Sequence, residues 1–102
     1  DGDEGPAVDA RLHSPVGVEV GPEGQVLIAD LQNLVIRSVD TEGCIMTIAG
    51  SGVLEEPILS GTAMEFPMNR PSGLAWTETG DLLIAERSGH RVLRWVGAVD
   101  AL

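Results

Sequence analysis

The chain has 102 residues, 43% of them hydrophobic, enough to bury the core of one ordinary globular domain. Its formal net charge is −10, from 16 acidic and six basic residues, and all six basic residues are arginine. No basic stripe typical of nucleic-acid binding stands out, and no stretch reaches the ~20 apolar residues that cross a bilayer. We therefore expect neither nucleic acid nor a membrane as a partner.

Two further features bear on the origin of the chain. Cys44 is the only cysteine, so an intramolecular disulfide is excluded and packing must hold the fold together. The first residue is Asp1 rather than Met, and no basic segment followed by an apolar one opens the chain as a signal peptide would. We expect a processed or excised piece, and the sequence indicates no compartment.

After a lead-in link of residues 1–14, the chain reads as short strands separated by turn-forming residues. Pro15 suits the start of a strand, because proline cannot donate to a sheet ladder. Pro22 and Gly24 occupy turn positions, and Gly43 stands where a hairpin favours a left-handed residue. The first unit, residues 15–50, is therefore predicted to contain four strands, at 16–20, 25–29, 34–39 and 44–49.

The same pattern returns 56 residues later. The segment Pro15-Val16-Gly17-Val18 aligns with Pro71-Ser72-Gly73-Leu74, and residues 24–30 align with residues 80–86 without a gap. After an inter-blade link of residues 51–70, the second unit, residues 71–102, is predicted to have strands at 73–77, 81–85 and 91–95. A turn at Val96 and Gly97 leaves residues 99–102 for a fourth strand. Four-stranded antiparallel units at a fixed period are typical of propeller blades, so an all-β fold of two blades is expected.

These residues resemble the NHL repeat over nearly the whole chain. The first copy reads Val26-Leu27-Ile28-Ala29-Asp30, then Ile36-Arg37, then Thr47-Ile48-Ala49-Gly50, and the second copy reads Leu82-Leu83-Ile84-Ala85-Glu86 and later His90-Arg91-Val92. The resemblance implies a β-propeller that usually closes with six blades and serves as a binding scaffold, with a minority of metal-assisted enzymes. Leu34, where the family favours histidine, and Glu86, where it favours aspartate, depart from the pattern.

The candidate ligand-binding residues lie in loops that a propeller places at one face, near its central opening. Binding residues concentrate on such loops. They are His13, Ser14, Asn69, Arg70, Arg87 and His90. Arg70 and Arg87 are the preferred contacts, because they are positive on an acidic protein. The alternative is that they pair with nearby carboxylates such as Glu65 or Glu86.

No catalytic residue, cofactor or metal site is predicted. His13 and His90 lie 77 residues apart at non-equivalent repeat positions, whereas a metal site needs several convergent ligands. Asp30 and Glu86, which end the second strand of each unit, are expected to cap loop amides rather than to bind a ligand. One alternative stays open, in which Glu19 from several copies converges on the propeller axis of a metal-assisted hydrolase or lyase.

Two blades leave two apolar faces uncovered, because each blade of a propeller is normally buried by both neighbours. Exposed patches of that size predict association, and a head-to-tail contact closes into a ring. We expect self-association, as a homotrimer of six blades, unless the chain is part of a larger propeller. The expected function is a non-catalytic scaffold that binds a protein, a peptide or a small ligand. A purely structural, self-assembling blade unit is the remaining alternative.

Overall fold

Runs of apolar and β-branched residues between turn-forming glycines fold into eight strands in the part of the chain that the structure describes. The computed structural model describes residues 3–12, 14–52, 62–64, 66–88 and 90–102. The strands are β1 (Gly5–Pro6), β2 (Pro15–Val20), β3 (Val26–Asp30), β4 (Val35–Val39), β5 (Cys44–Ala49), β6 (Pro71–Trp76), β7 (Leu82–Glu86) and β8 (Arg91–Trp95). Two short 3₁₀ helices span Ala7–Asp9 and Ala98–Ala101. The strands predicted at 44–49 and 91–95 are confirmed, and the other five lie within two residues of their predicted bounds.

The strands form two antiparallel sheets, one from each repeat. The first sheet has the order β1-β5-β4-β3-β2 and the second the order β6-β7-β8. The same register recurs in both, since Val18 pairs with Ile28 in the first sheet and Leu74 pairs with Ile84 at the equivalent positions of the second. Both sheets also carry an irregularity at the residue after the opening proline, between Pro15 and Gly17 and between Pro71 and Gly73.

The four strands predicted within residues 15–50 are confirmed, but neither sheet has four strands, because the first contains five and the second three. The first sheet gains a fifth strand, because the Glu4 N–H donates to Ile45 O at 2.6 Å and the Ala7 N–H donates to Gly43 O at 2.7 Å. Pro6 fits there because an outer edge strand tolerates a missing donor.

The second sheet lacks the fourth strand predicted at 99–102. The Gly97 N–H donates to Asp81 Oδ1 at 2.8 Å, and Gly97 adopts a left-handed conformation with φ of 74°. The chain then turns into the 3₁₀ helix, where the Val99 N–H donates to Gly80 O at 3.0 Å. These bonds direct the chain over the β6–β7 turn instead of along β8.

The hydrophobic core lies between the two sheets. Leu27, Ala29 and Ile36 of the first sheet are fully buried, as is Leu82 of the second, and Ile84 is 1% exposed. All five belong to one core cluster, which Ala49, Met68 and Ala98 complete. The alternation of side chains in each strand therefore gives the blades one shared, buried interface.

The end of the inter-blade link folds back onto β5. The Gly50 N–H donates to Ala63 O at 2.7 Å, and the Ser51 N–H donates to Phe66 O at 3.1 Å. Phe66 of this link packs against the core, whereas Met64 is 51% exposed. The other apolar residues of this link lie outside the described residues: Val53, Leu54, Ile58 and Leu59. Among the described residues, no helix has the length and apolarity to cross a membrane.

Candidate functional site

The loops that precede β6 and follow β7 meet at one end of the second blade. Because these strands are antiparallel, with Pro71 paired to Glu86, the start of one and the end of the other share an edge. The Arg87 N–H donates to the Arg70 carbonyl oxygen at 2.8 Å. The Arg70 side chain donates from a terminal guanidinium nitrogen to Ser88 Oγ at 3.2 Å. Two of the predicted contacts, Arg70 and Arg87, are therefore brought together.

The buried side chain of Glu86 holds these two loops in place. Its side chain is fully buried, and its Oε1 accepts a hydrogen bond from Arg91 Nε at 2.5 Å. Its Oε2 accepts a second from the Asn69 N–H at 2.9 Å. The guanidinium of Arg91 also lies over the Phe66 ring, 5.2 Å from its centroid. The end of the inter-blade link is thereby tied to the second blade.

These contacts decide between two expectations. The prediction that Glu86 caps a loop amide is confirmed by its bond from Asn69. The alternative that Glu86 neutralises Arg70 or Arg87 is wrong, because Arg91 occupies that carboxylate. Glu65, the other carboxylate considered, lies outside the described residues. The Asn69 Oδ1 atom is buried and accepts no hydrogen bond from the described part of the chain.

The charges of Arg70 and Arg87 are not balanced within the described ranges. Arg37, Arg91 and Arg94 each form an ion pair there, with Asp3 and Asp30, Glu86 and Asp81 respectively. Arg70 and Arg87 are exposed and form none with any residue that the structure describes. Arg70 also adopts a left-handed backbone, with φ of 56°. Non-glycine residues seldom do so, and such positions cluster at functional sites and turns.

The equivalent end of the first blade is built differently. Asp30 is fully buried and accepts hydrogen bonds from Asn33 Nδ2 at 2.7 Å and from Arg37 at 3.4 Å. Arg37 also donates to Asp3 Oδ1 at 2.7 Å and to the Arg11 carbonyl at 3.1 Å, which ties the lead-in link to the blade. The hydrogen bonds described for Asp30 come from the side chains of Asn33 and Arg37, so its expected capping of a loop amide stays a prediction.

The other predicted contacts are less closely joined. Ser14 is exposed and has a φ of 58°, which matches Arg70 at the same position of the second repeat. His90 is exposed with a φ of 53°, and Leu34, its equivalent, has a φ of 63°. Neither Ser14 nor His90 is hydrogen-bonded through its side chain to the Arg70 and Arg87 loops within the described residues. His13 lies outside them.

Glu19 lies away from these loops. It pairs with Leu27 across the sheet, and Leu27 is in the core between the blades, so Glu19 is half-buried on the face turned toward the second blade. Across the described ranges, no three His, Cys, Asp or Glu side chains come together in a way that could hold a metal ion.

Sequence reasoning missed Ser88 and Arg91. Arg91 takes the position that Val35 occupies in the first repeat. A charged residue at a position that is apolar in the other copy is the signal that could have identified it as the partner of Glu86. Ser88 has no comparable signal, because a serine in a turn is common for local reasons.

Comparison with known proteins identifies relatives that match most of the chain. The family model described as the Teneurin NHL domain matches residues 1–78. The chain is 33% identical over 93 residues to NHL repeat-containing protein 2 of Homo sapiens, covering 87% of this chain and 12% of that protein. It is 28% identical over 94 residues to Protein SUPPRESSOR OF QUENCHING 1, chloroplastic, of Arabidopsis thaliana, covering 91% of this chain and 9% of that one.

A solved structure agrees with the fold. A crystal structure of a protein of unknown function from Bacteroides thetaiotaomicron superposes with a TM-score of 0.75 at 27% identity, over 84% of this chain and 22% of that one. The chain spans about a tenth of the length of the two curated relatives, 12% and 9% respectively.

Proposed function

The chain belongs to the NHL-repeat family, and on that premise we propose that it is a non-catalytic binding scaffold whose Arg70 and Arg87 loops bind a carboxylate of a peptide or protein segment. The fold supports a scaffold, since blades present loops at the ends of their strands. Fold alone names no ligand, so the proposal depends on the chemistry of this loop pair.

The observation that carries the proposal is the pair of exposed arginines joined by the hydrogen bond from the Arg87 N–H to the Arg70 carbonyl oxygen. Neither has an ion-pair partner among the described residues, while the protein as a whole carries a net charge of −10. The surrounding negative charge repels polyanions. A local positive site on this acidic surface therefore selects against highly charged competing ligands. A short segment with one or two carboxylates among apolar residues fits this arrangement better than a highly charged polyanion.

The geometry of arginine fits the same ligand. A guanidinium binds a carboxylate through two parallel N–H···O bonds, which gives orientation as well as attraction. The buried Glu86–Arg91 pair and the Asn69 amide bond hold the two loops in register beneath the exposed side chains. Part of the ordering that binding requires is therefore already present in the free protein.

The test is selection of a random peptide library on the immobilised chain, with the double variant Arg70→Gln and Arg87→Gln as the comparison. Arg94→Gln is the control, since it removes one positive charge at the opposite end of β7, where Arg94 pairs with Asp81. We expect enrichment of peptides containing Asp or Glu that bind the wild type and the control but not the double variant. Absence of enrichment, or peptides that bind all three proteins equally, would show the proposal to be wrong.

A further inference from the structure

The second blade packs directly against the first, through close contact between β6 and β2. A Cβ atom added to Gly17 would overlap the Ser72 carbonyl oxygen, so β6 approaches β2 more closely than any side chain at Gly17 allows. At the far end of the same strands, Trp76 Nε1 donates to the Val20 carbonyl at 2.9 Å. Gly17 and the Trp76–Val20 hydrogen bond define the contact between β2 and β6, the innermost strands of the two blades.

On the side away from the first blade, the second blade carries a surface equivalent to the one that it covers on the first blade. The register pairs Gly73 with Ala85 and Ala75 with Leu83, and Ala85 with Val92, so these residues share one face, which we name the open face of the second blade. They occupy the positions that face the second blade in the first repeat. Ala75 is exposed, and Val92 is 65% exposed.

Within the described structure, Gly73 has no neighbouring backbone atom as close as the Ser72 carbonyl oxygen is to Gly17. Its φ is not in the left-handed region, and an added Cβ would meet only the Ala85 Cβ, at 3.3 Å. Its equivalent, Gly17, is required because another blade lies against it. A glycine retained at this position therefore indicates a site where a further innermost strand approaches.

The first blade carries the matching surface. Val18 and Val20 are 65% and 58% exposed, and their equivalents in the second repeat, Leu74 and Trp76, pack against the core between the blades. We name the surface formed by these two valines the valine face of the first blade; Val16, at the irregularity of β2, is also 53% exposed. Neighbouring exposed valines on one strand form the kind of apolar surface that marks an interaction site.

We propose that the open face of the second blade binds the valine face of the first blade in another copy of this chain, with the Val16 carbonyl of that copy lying against Gly73. The occupant is a second copy because the two faces repeat the two sides of the contact already made inside the chain. Val16 stands at the position of Ser72, whose carbonyl approaches Gly17. The contact is head-to-tail, so it closes into a ring when the rotation permits, and three copies supply the six blades expected from the sequence.

Multi-angle light scattering after size-exclusion chromatography tests this at micromolar concentration of the full chain. We expect the wild type to exceed the 10.7 kDa of a single chain and to elute as a defined oligomer. Gly73→Ala, which blocks the open face, and Val18→Asp, which blocks the valine face, should each give the single-chain mass. Glu78→Ala, exposed in the turn between β6 and β7, should assemble like the wild type.

A mixture of the two blocked variants makes the test specific. Each retains the face that the other has lost, so an equimolar mixture should form a dimer and no larger species. Near-UV circular dichroism checks that the variants are folded, and Ala75→Asp replaces Gly73→Ala if that variant is not. A monomeric wild type, assembly of Gly73→Ala like that of the wild type, or a mixture that stays monomeric would each overturn the proposal.

Discussion

The indole Nε1 of Trp76 donates a 2.9 Å hydrogen bond to the backbone carbonyl of Val20, the residue at the same position one repeat earlier. The repeat period of 56 residues thus appears directly as a bond between equivalent residues of neighbouring blades. The side chain of Trp76 also packs against the core between the sheets. One residue therefore sets both the spacing and the orientation of the two innermost strands.

Trp76→Phe should lower the free energy of unfolding by about 1 kcal/mol more than Trp95→Phe. Both changes remove an indole from a half-buried position, but the Trp95 indole makes no hydrogen bond with the residues that the structure describes. Urea denaturation followed by far-UV circular dichroism, at one protein concentration, measures the difference. Equal losses in the two variants would mean that the Trp76–Val20 bond contributes nothing to the contact.

Arg37→Leu should lower the free energy of unfolding by about 3 kcal/mol, although leucine occupies the equivalent position, Leu93, in the second repeat. Arg37 is 1% exposed, and its guanidinium neutralises the fully buried Asp30 while it holds Asp3 of the lead-in link. Arg94→Gln is the control, because its ion pair is more than half exposed on the arginine side and should contribute at most about 1 kcal/mol.

A second measurement on Arg37→Leu separates the two roles of this arginine. Adding Asp30→Asn should recover part of the lost stability, because it removes the buried charge, but should not restore the attachment of the lead-in link. Hydrogen exchange of the Glu4 and Ala7 amides, which donate to Ile45 and Gly43, reports that attachment. Full protection of both amides in Arg37→Leu would contradict the assigned role of the Asp3–Arg37 pair.

The stability of the chain should fall in acid through Asp81. The hydrogen bond from the Gly97 N–H, and then that from Arg94, lower the pKa of Asp81 below its ordinary value of 3.8. A carboxyl whose pKa is lower in the folded state stabilises the fold above its unfolded pKa and loses that contribution as the pH falls through its folded pKa. For Asp3, burial opposes the same effect, but hydrogen bonds from Thr47 and Arg37 outweigh it and lower the pKa below 3.8.

Asp81→Asn should therefore be less stable than the wild type at pH 7, and its stability should decline less steeply below about pH 4. Urea denaturation at a series of pH values gives both quantities. Asp100→Asn is the matched control, because that carboxylate is exposed and its side chain bonds to none of the described residues. A slope for Asp81→Asn equal to that of the wild type would show that Asp81 does not contribute to the acid transition.

The strands could be predicted because their signals are local. Apolar alternation and the turn residues Gly24, Gly43 and Gly80 mark their ends, and the 56-residue repeat places each strand twice. The two-residue strand Gly5–Pro6 could not be predicted, because its bonds go to Ile45 and Cys44, about 40 positions away, and nothing local signals them. The absence of a fourth strand in the second blade likewise depends on one side chain, Asp81, which accepts a hydrogen bond from the Gly97 N–H.

The positions of the charged partners follow no common rule in the two repeats. Asp30 and Glu86 are equivalent, yet their arginines come from non-equivalent positions: Arg91 is directly opposite Glu86, and Arg37 is opposite Ile28, two residues along the strand from Asp30. The loops containing Arg70 and Arg87 could be identified from their place beside the strand ends of the repeat. The hydrogen bond that joins them depends on a left-handed backbone at Arg70, and no glycine at that position signals it.

The most direct test of the account is the affinity of a selected acidic peptide for the wild type, the Arg70→Gln and Arg87→Gln double variant, and Arg94→Gln, measured by isothermal titration calorimetry. Each charge-assisted hydrogen bond contributes about 1.5–3 kcal/mol, and every 1.4 kcal/mol is about tenfold in affinity. We predict at least a tenfold loss for the double variant and about the wild-type affinity for Arg94→Gln. Equal affinities for all three proteins would contradict the assignment of Arg70 and Arg87 as the binding site.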